Sequence, residues 1–489
     1  MTSNPAQKPS STSRRAFLAG SGAALAVGAT STGLLTDAAA AAGGGGVASE
    51  TWPPGPGRLI RPQRASGELR RIIAAFDPDR VEANIRKLVS FGTRHTLSVQ
   101  DDPNRGIGAA RDWIAAEMTK YAAESGGRMA VTVPSYIQQP GPDDPRIDVP
   151  TKISNVVATL KGSVDPNRTY VITGHYDSRV TDVMNRTADA PGANDDASGT
   201  AVIMELARVM ATHQPDCTLI FAAVAGEEQG LYGSTFLAQQ LKDAGADVQG
   251  MFTNDIVGSS RGDDGTRDPF SLRLFAQGPP STEDAERAAL RLSIGGENDS
   301  PARELARFVA EVAGPQTTRM NIRLIYRLDR FLRGGDNLPF LEQGWPACRF
   351  TEPNENFAHQ HQDVRVENDV QFGDLPEFVD FDYVARVAGV NAAWMWSASQ
   401  APGLPQDVTI DTSVLTNDTK IDWTHGDDSS LAGYEVVWRP TINPFWTHVI
   451  PVGDVSTATI DLSKDNVVFG VRSVSHDGLR SPAVFPFPA

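Results

Sequence analysis

Residues 217–230 read CTLIFAAVAGEEQG: an uncharged run, Cys217–Ala225, then one glycine and two adjacent glutamates. A run this short, this apolar and bounded by a turn residue reads as a strand buried on both faces. Glu227 and Glu228 at its end repel each other beside a low-dielectric neighbour. Packing gives little reason to put them there. One glutamate on a metal and the other carrying a proton gives a clear reason. Working outward, Leu231–Ala244 has helical spacing and Gln249–Ile256 reads as the next strand; upstream, Tyr170–Ile172 is a strand and Thr200–Thr212 an amphipathic helix. Further strands are expected at Met129–Tyr136, Thr151–Leu160, Ser271–Gln277, Arg323–Tyr326 and Ala347–Phe350. Helices are expected at Val81–Phe91, Arg105–Ala123, Glu283–Leu292, Ala302–Val312 and Phe378–Trp396. Strands alternating with helices predict an α/β fold, a mixed and mostly parallel sheet with helices on both faces. In such sheets a site gathers at the carboxyl ends of the strands.

Four more segments put metal-binding side chains at those ends. In GHYDS, residues 174–178, His175 can bind metal through one ring nitrogen, and Asp177, on the same side of an extended chain, can hold the other. In PGANDDASG, residues 191–199, Asp195 and Asp196 precede a helix, where they also suit an N-cap. Asn254-Asp255 closes the strand after the glutamates. A polar loop after the last strand carries His359, His361 and Asp363, two of the chain's 8 histidines.

The order His, Asp, Glu-Glu, Asp, His resembles the co-catalytic zinc aminopeptidases of metallopeptidase family 28. GHYDS, PGANDDASG, AGEEQGLYGS and the Asn254-Asp255 pair carry the resemblance, with Arg333–Phe340 and Gly344–Ala347 fitting the stretch before the last ligand. It spans roughly residues 80–400 and implies the zinc exopeptidase type of α/β sheet, binding two Zn²⁺ per chain. Asp195 would bridge the metals, His175 and Asp255 would complete one shell, and Glu228 with a late histidine the other. Glu227 would be the general base, Asp177 would orient His175, and the Asp195–Asp196 peptide would be cis. His followed four residues later by Asp points to His359 with Asp363, whereas Gln360-His361-Gln362 resembles the longer-loop members. His361 is the expected ligand. Three carboxylates and two neutral imidazoles bring a +4 pair to about +1, which acidifies a water between the metals. The implied activity is removal of single residues from peptide N-termini. Rivals on the same fold are a glutaminyl cyclase and a carboxy- or dipeptidase, and outside it a non-catalytic surface-binding protein.

The net charge of −16, from 44 Lys+Arg against 60 Asp+Glu, argues against nucleic acid or anionic lipid as a partner. Residues 1–46 read as a twin-arginine export signal with a Gly-rich linker: Arg14-Arg15, a small-residue apolar run, alanines, then glycines. No stable membrane anchor is expected, and the protein is expected outside the cell or in its envelope. Residues 47–75, rich in Pro, Gly and Arg, either pack on the surface or stay loose. The peptidase domain is expected over 47–400. Beyond it, over 402–489, helical periodicity gives way to short alternating strands at Asp407–Ile410, Thr419–Trp423, Tyr434–Arg439, Ala458–Leu462 and Val467–Ser473. These predict a small β-sandwich. Trp423, Tyr434 and the alternation through Val467, Phe469 and Val471 resemble a fibronectin type III module. Cys217 and Cys348 open apolar runs and read as buried free thiols.

Overall fold

In the computed structural model, which describes residues 52–424 and 428–489, every side chain of Cys217–Val224 is buried, so both faces of the sheet are covered there. The expected export leader, residues 1–46, lies outside the described residues. Numbered along the main sheet, the strands are β1 (Met129–Thr132), β2 (Val156–Leu160), β3 (Asp165–His175), β4 (Cys217–Val224), β5 (Asp247–Asn254), β6 (Ser271–Ala276), β7 (Asn321–Ile325) and β8 (Ala347–Thr351). They lie side by side in the order β7-β6-β8-β5-β3-β4-β2-β1. The central four, β8, β5, β3 and β4, all run parallel. The antiparallel pairings fall towards the margins, where β2 joins β4 and β1 joins β2, and where β6 joins β8. The parallel centre thus brings the carboxyl ends of four strands to one edge.

Helices Pro78–Val89, Ala197–Met210 and Phe381–Gln400 pack together over this centre. Ala197–Met210 approaches β3 so closely that a Cβ at Gly174 would lie 2.5 Å from the backbone of Gly199. A Cβ at Gly199 would lie 2.1 Å from the Asn254 carbonyl oxygen. Glycine at both places lets a helix N-terminus sit directly against two strand ends.

Two expected strands divide. Met129–Tyr136 breaks at Pro134 and Thr151–Leu160 breaks at Asn155; the detached pieces, Ser135–Gln138 and Thr151–Ser154, pair antiparallel on their own. Pro134 has no N–H to give a ladder. Asn155 instead spends its side chain on Gly233 O at 2.8 Å and Ala225 N at 3.3 Å, bracing the segment that follows β4. The Pro-, Gly- and Arg-rich stretch, described from residue 52 onward, packs on the body. Arg58–Leu59 pairs with His448–Val449, and a helix at Gly67–Ala74 lies against Phe381–Gln400. Cys217 and Cys348 are buried free thiols.

The C-terminal strands form two four-stranded sheets, one including Leu431–Pro440 and Val467–Ser475, the other Gln406–Ile410 and Thr419–Thr424. Between them lies an apolar core containing Trp423, Val436, Trp438 and Phe469. The strand His448–Gly453 escaped the sequence reading because Pro451 interrupts its pattern; its outer neighbour is only the two-residue strand Arg58–Leu59, so a residue without an N–H is tolerated. This sandwich is welded to the α/β body by buried polar contacts. Arg439 donates to both oxygens of Asp299 at 2.7 and 2.8 Å, Arg307 reaches the same carboxylate at 3.1 Å, and Trp446 Nε1 donates to Glu304 at 2.9 Å. Asp299, Arg439 and Arg307 are all at most 3% exposed. Removing one member strands a buried charge, so we expect Asp299→Ala to destabilise the protein by about 3–5 kcal/mol in urea unfolding. A surface acid such as Asp418 replaced by Ala should cost less than about 0.5 kcal/mol.

Candidate metal centre

His175 is the last residue of β3, Asp255 follows β5 directly, and Glu227 and Glu228 follow β4 after Gly226. Gly226 sits at φ +75°, the left-handed turn that swings the chain off the strand and into a short helical turn. Asp195 lies in the loop before Ala197–Met210. Asp196 caps that helix, accepting from Gly199 N at 2.9 Å, and also accepts from His175 N at 3.0 Å, tying strand end to helix start. The Asp195–Asp196 bond is cis.

These side chains converge into two groups that share one residue. His175, Asp195 and Asp255 form the first, and Asp195, Glu228 and His361 the second; within each, the ligand atoms lie within 4.8 Å of one another. Asp195 turns one oxygen to each group: Oδ1 is 3.1 Å from His175 Nε2, and Oδ2 is 2.8 Å from His361 Nε2. His175 Nε2 stands 3.8 Å from Asp255 Oδ1, and His361 Nε2 stands 2.9 Å from Glu228 Oε1. His359 is directed elsewhere: its ring stacks on Phe378 at 3.6 Å between centroids. Two of the converging atoms, His175 Nε2 and Glu228 Oε1, are buried and make no hydrogen bond. Imidazole nitrogens and carboxylate oxygens gathered around buried unpaired lone pairs suit divalent cations of the zinc type.

Charge points the same way. The buried carboxylates meet two guanidiniums, Arg179 at Glu228 and Arg349 at Asp255. Burial raises Asp195, but His361 and His175 outweigh it and hold the carboxyl well below the ordinary range. Burial likewise opposes Asp255, where Arg349, 2.7 Å from its Oδ2, brings it down to about 2. Glu227, partly buried, is pushed well above its ordinary value by burial, with Asp255, Glu228 and Asp336 adding to the effect and His175 opposing it. Burial raises Asp336 to about 7, against the opposing pull of His175 and a hydrogen bond from Ser234.

Asp177 has a wider part than orienting His175. His175 Nδ1 is nearer the Asp177 carbonyl oxygen, at 3.2 Å, than its carboxylate, at 3.5 Å. That carboxylate accepts from Glu227 N at 3.3 Å, Glu228 N at 3.2 Å and Thr96 Oγ1 at 2.9 Å, and so fixes the glutamate turn.

Sequence reasoning missed the residues that brace the ligand loops. Arg94, 1% exposed, donates to the carbonyls of Tyr176, Pro191 and Gly192 at 2.7–2.8 Å. Asp374 accepts from Asn194 N at 2.8 Å and Asp195 N at 2.7 Å. Arg349 joins Asp255 to Asp329. No pattern in the sequence marks these residues; each meets its partner across a long span of chain.

Residues 155–369 match the model of peptidase family M28. A probable zinc metalloprotease of Pyrenophora teres f. teres (strain 0-1) is 60% identical over 445 residues, 90% of this chain and 92% of that one. This chain belongs to peptidase family M28. Among solved structures, an aminopeptidase from Aneurinibacillus sp. strain AM-1 has a TM-score of 0.46 at 17% identity, over 68% of this chain and 96% of its own. Glutaminyl cyclase of Fimbriiglobus ruber has a TM-score of 0.47 at 19% identity, over 68% and 97%.

The two late histidines separate by experiment. We expect His361→Ala to lower bound divalent metal by about one equivalent per chain in elemental analysis, and His359→Ala to leave it unchanged.

Proposed function

We propose that this chain is a two-zinc exopeptidase of the aminopeptidase kind, with Asp195 bridging the metals, His175 and Asp255 completing one shell, and Glu228 and His361 the other. The observation that carries the proposal is the pair of oxygens on Asp195, each within 3.1 Å of a different histidine. When bound, a zinc pair supplies Lewis acidity towards the scissile carbonyl and the charge that stabilises its developing negative oxygen.

The chain's own residues do the rest. Glu227, next to Glu228 and partly buried, takes a proton from the attacking water and delivers it to the leaving amine. It must be ionised to do so, and burial raises its pKa. Activity therefore rises with pH through its titration and falls below it. Asp177 holds the backbone of Glu227 and Glu228 in place. Selectivity for a free N-terminus would come from the substrate's α-amine meeting a metal or a nearby carboxylate.

The proposal extends to the rest of the chain. Residues 1–46 serve as a twin-arginine export leader, so the enzyme works in the cell envelope or outside. Residues 47–400 are the peptidase domain, and 402–489 are a fibronectin type III-like module that stabilises it through the Asp299–Arg439 weld.

Hydrolysis of aminoacyl arylamides, with and without chelator, on protein assayed for zinc tests this reading. We expect two zinc per chain and chelator-sensitive release of single N-terminal residues. One zinc with cyclisation of N-terminal glutamine would replace it with the cyclase reading. Glu227→Gln should keep both zinc ions yet lose at least about 10²-fold in kcat. Near-normal turnover would remove Glu227 from the base role.

A further inference from the structure

Arg179 touches both ligands that belong only to the second group. Its Nε donates to Glu228 Oε2 at 2.8 Å, and its Nη2 lies 2.6 Å from His361 Nδ1. Its side chain is 17% exposed, and Glu228 is its one carboxylate partner among the described residues. A guanidinium only donates, so His361 Nδ1 accepts. The neutral ring then keeps its single proton on Nε2, the atom that faces Asp195 and Glu228.

The first group is built the other way round. His175 Nδ1 meets the Asp177 carbonyl oxygen, an acceptor, at 3.2 Å, which leaves Nε2 with a free lone pair. A histidine that donates its far N–H to a carbonyl or carboxylate is the usual backing for a metal ligand, and it strengthens the bond. Arg349 stands behind Asp255, but it divides its charge with Asp329 at 3.3 Å and is not within bonding reach of His175.

Resting on the two-metal reading above, we infer that Arg179 is a positioning residue that makes the His361–Glu228 position the weaker of the two. A cation arriving there meets a fixed positive charge behind both of its private ligands. It also needs Arg179 to withdraw from His361 before Nε2 can offer a lone pair. The His175–Asp255 position fills first and holds its metal, while the second position exchanges.

Calorimetric titration of the metal-free full chain with zinc tests this, with His361→Ala, which keeps only the first position intact, as the check of which position fills. For the wild type we expect two steps of about one equivalent each, the second weaker by roughly tenfold or more. Arg179→Gln should tighten the second step by on the order of 10- to 100-fold and leave the first unchanged. Arg179→Lys, which keeps the charge but cannot reach both ligands as a fork, should fall between. Equal second-step affinities in wild type and Arg179→Gln would overturn this inference while leaving two zinc ions in place. Weakening of both steps together in Arg179→Gln, with a lowered unfolding temperature, would also overturn it, by making Arg179 a structural brace. If both chains stop at one equivalent, the two-metal reading falls and this inference falls with it.

Discussion

Acidic side chains crowded at the end of an apolar sheet are what the surrounding structure must accommodate. Two like charges 4 Å apart at an effective dielectric of about 20 repel by about 4 kcal/mol. Here Asp195, Glu228 and Asp255 stand together with at most 5% exposure. Such a cluster is tolerable only where positive charge is held among its members. The two arginines provide part of it, and the lone pairs of His175 and Glu228 mark where cations would supply the remainder.

Holding that cluster in register falls largely to the backbone around it. Arg94 ties the Tyr176 carbonyl to those of Pro191 and Gly192 in the 191–195 loop, Asp374 takes amides within it, and Asp196 pins the helix start to the end of β3. Asp255 is followed by Ile256 at φ +57°, an uncommon conformation for a β-branched residue. Its carbonyl oxygen is held by Glu352 N at 2.8 Å and Thr351 Oγ1 at 3.0 Å. Strain of this kind persists where neighbours fix it, and its place here is directly beside a converging carboxylate.

Much of this was legible in the sequence, for a physical reason. Parallel strands bury both faces, so Cys217–Val224 stands out as an apolar run, and polar residues at its end stand out against it. The same contrast exposes His175 and Asp255. The mostly parallel sheet, its helices and the C-terminal sandwich follow from that punctuation. What stayed hidden depends on long-range contact. Arg94, Arg179 and Arg349 read as ordinary solubilising charge until the fold sets them against backbone carbonyls, His361 and Asp255. Asp374 lies 179 residues from the amide of Asp195 that it accepts from. The histidine choice was open on spacing, because His359 and His361 sit in one loop; the fold separates them by stacking one on Phe378 and bringing the other to Asp195 and Glu228.

The most direct test of a shared aspartate at a paired centre is diffraction from zinc-loaded crystals at the zinc absorption edge. We expect two anomalous peaks about 3.5–4 Å apart, one on each side of the Asp195 carboxylate, one beside His175 and the other beside His361. A single peak, or peaks away from Asp195, would contradict it.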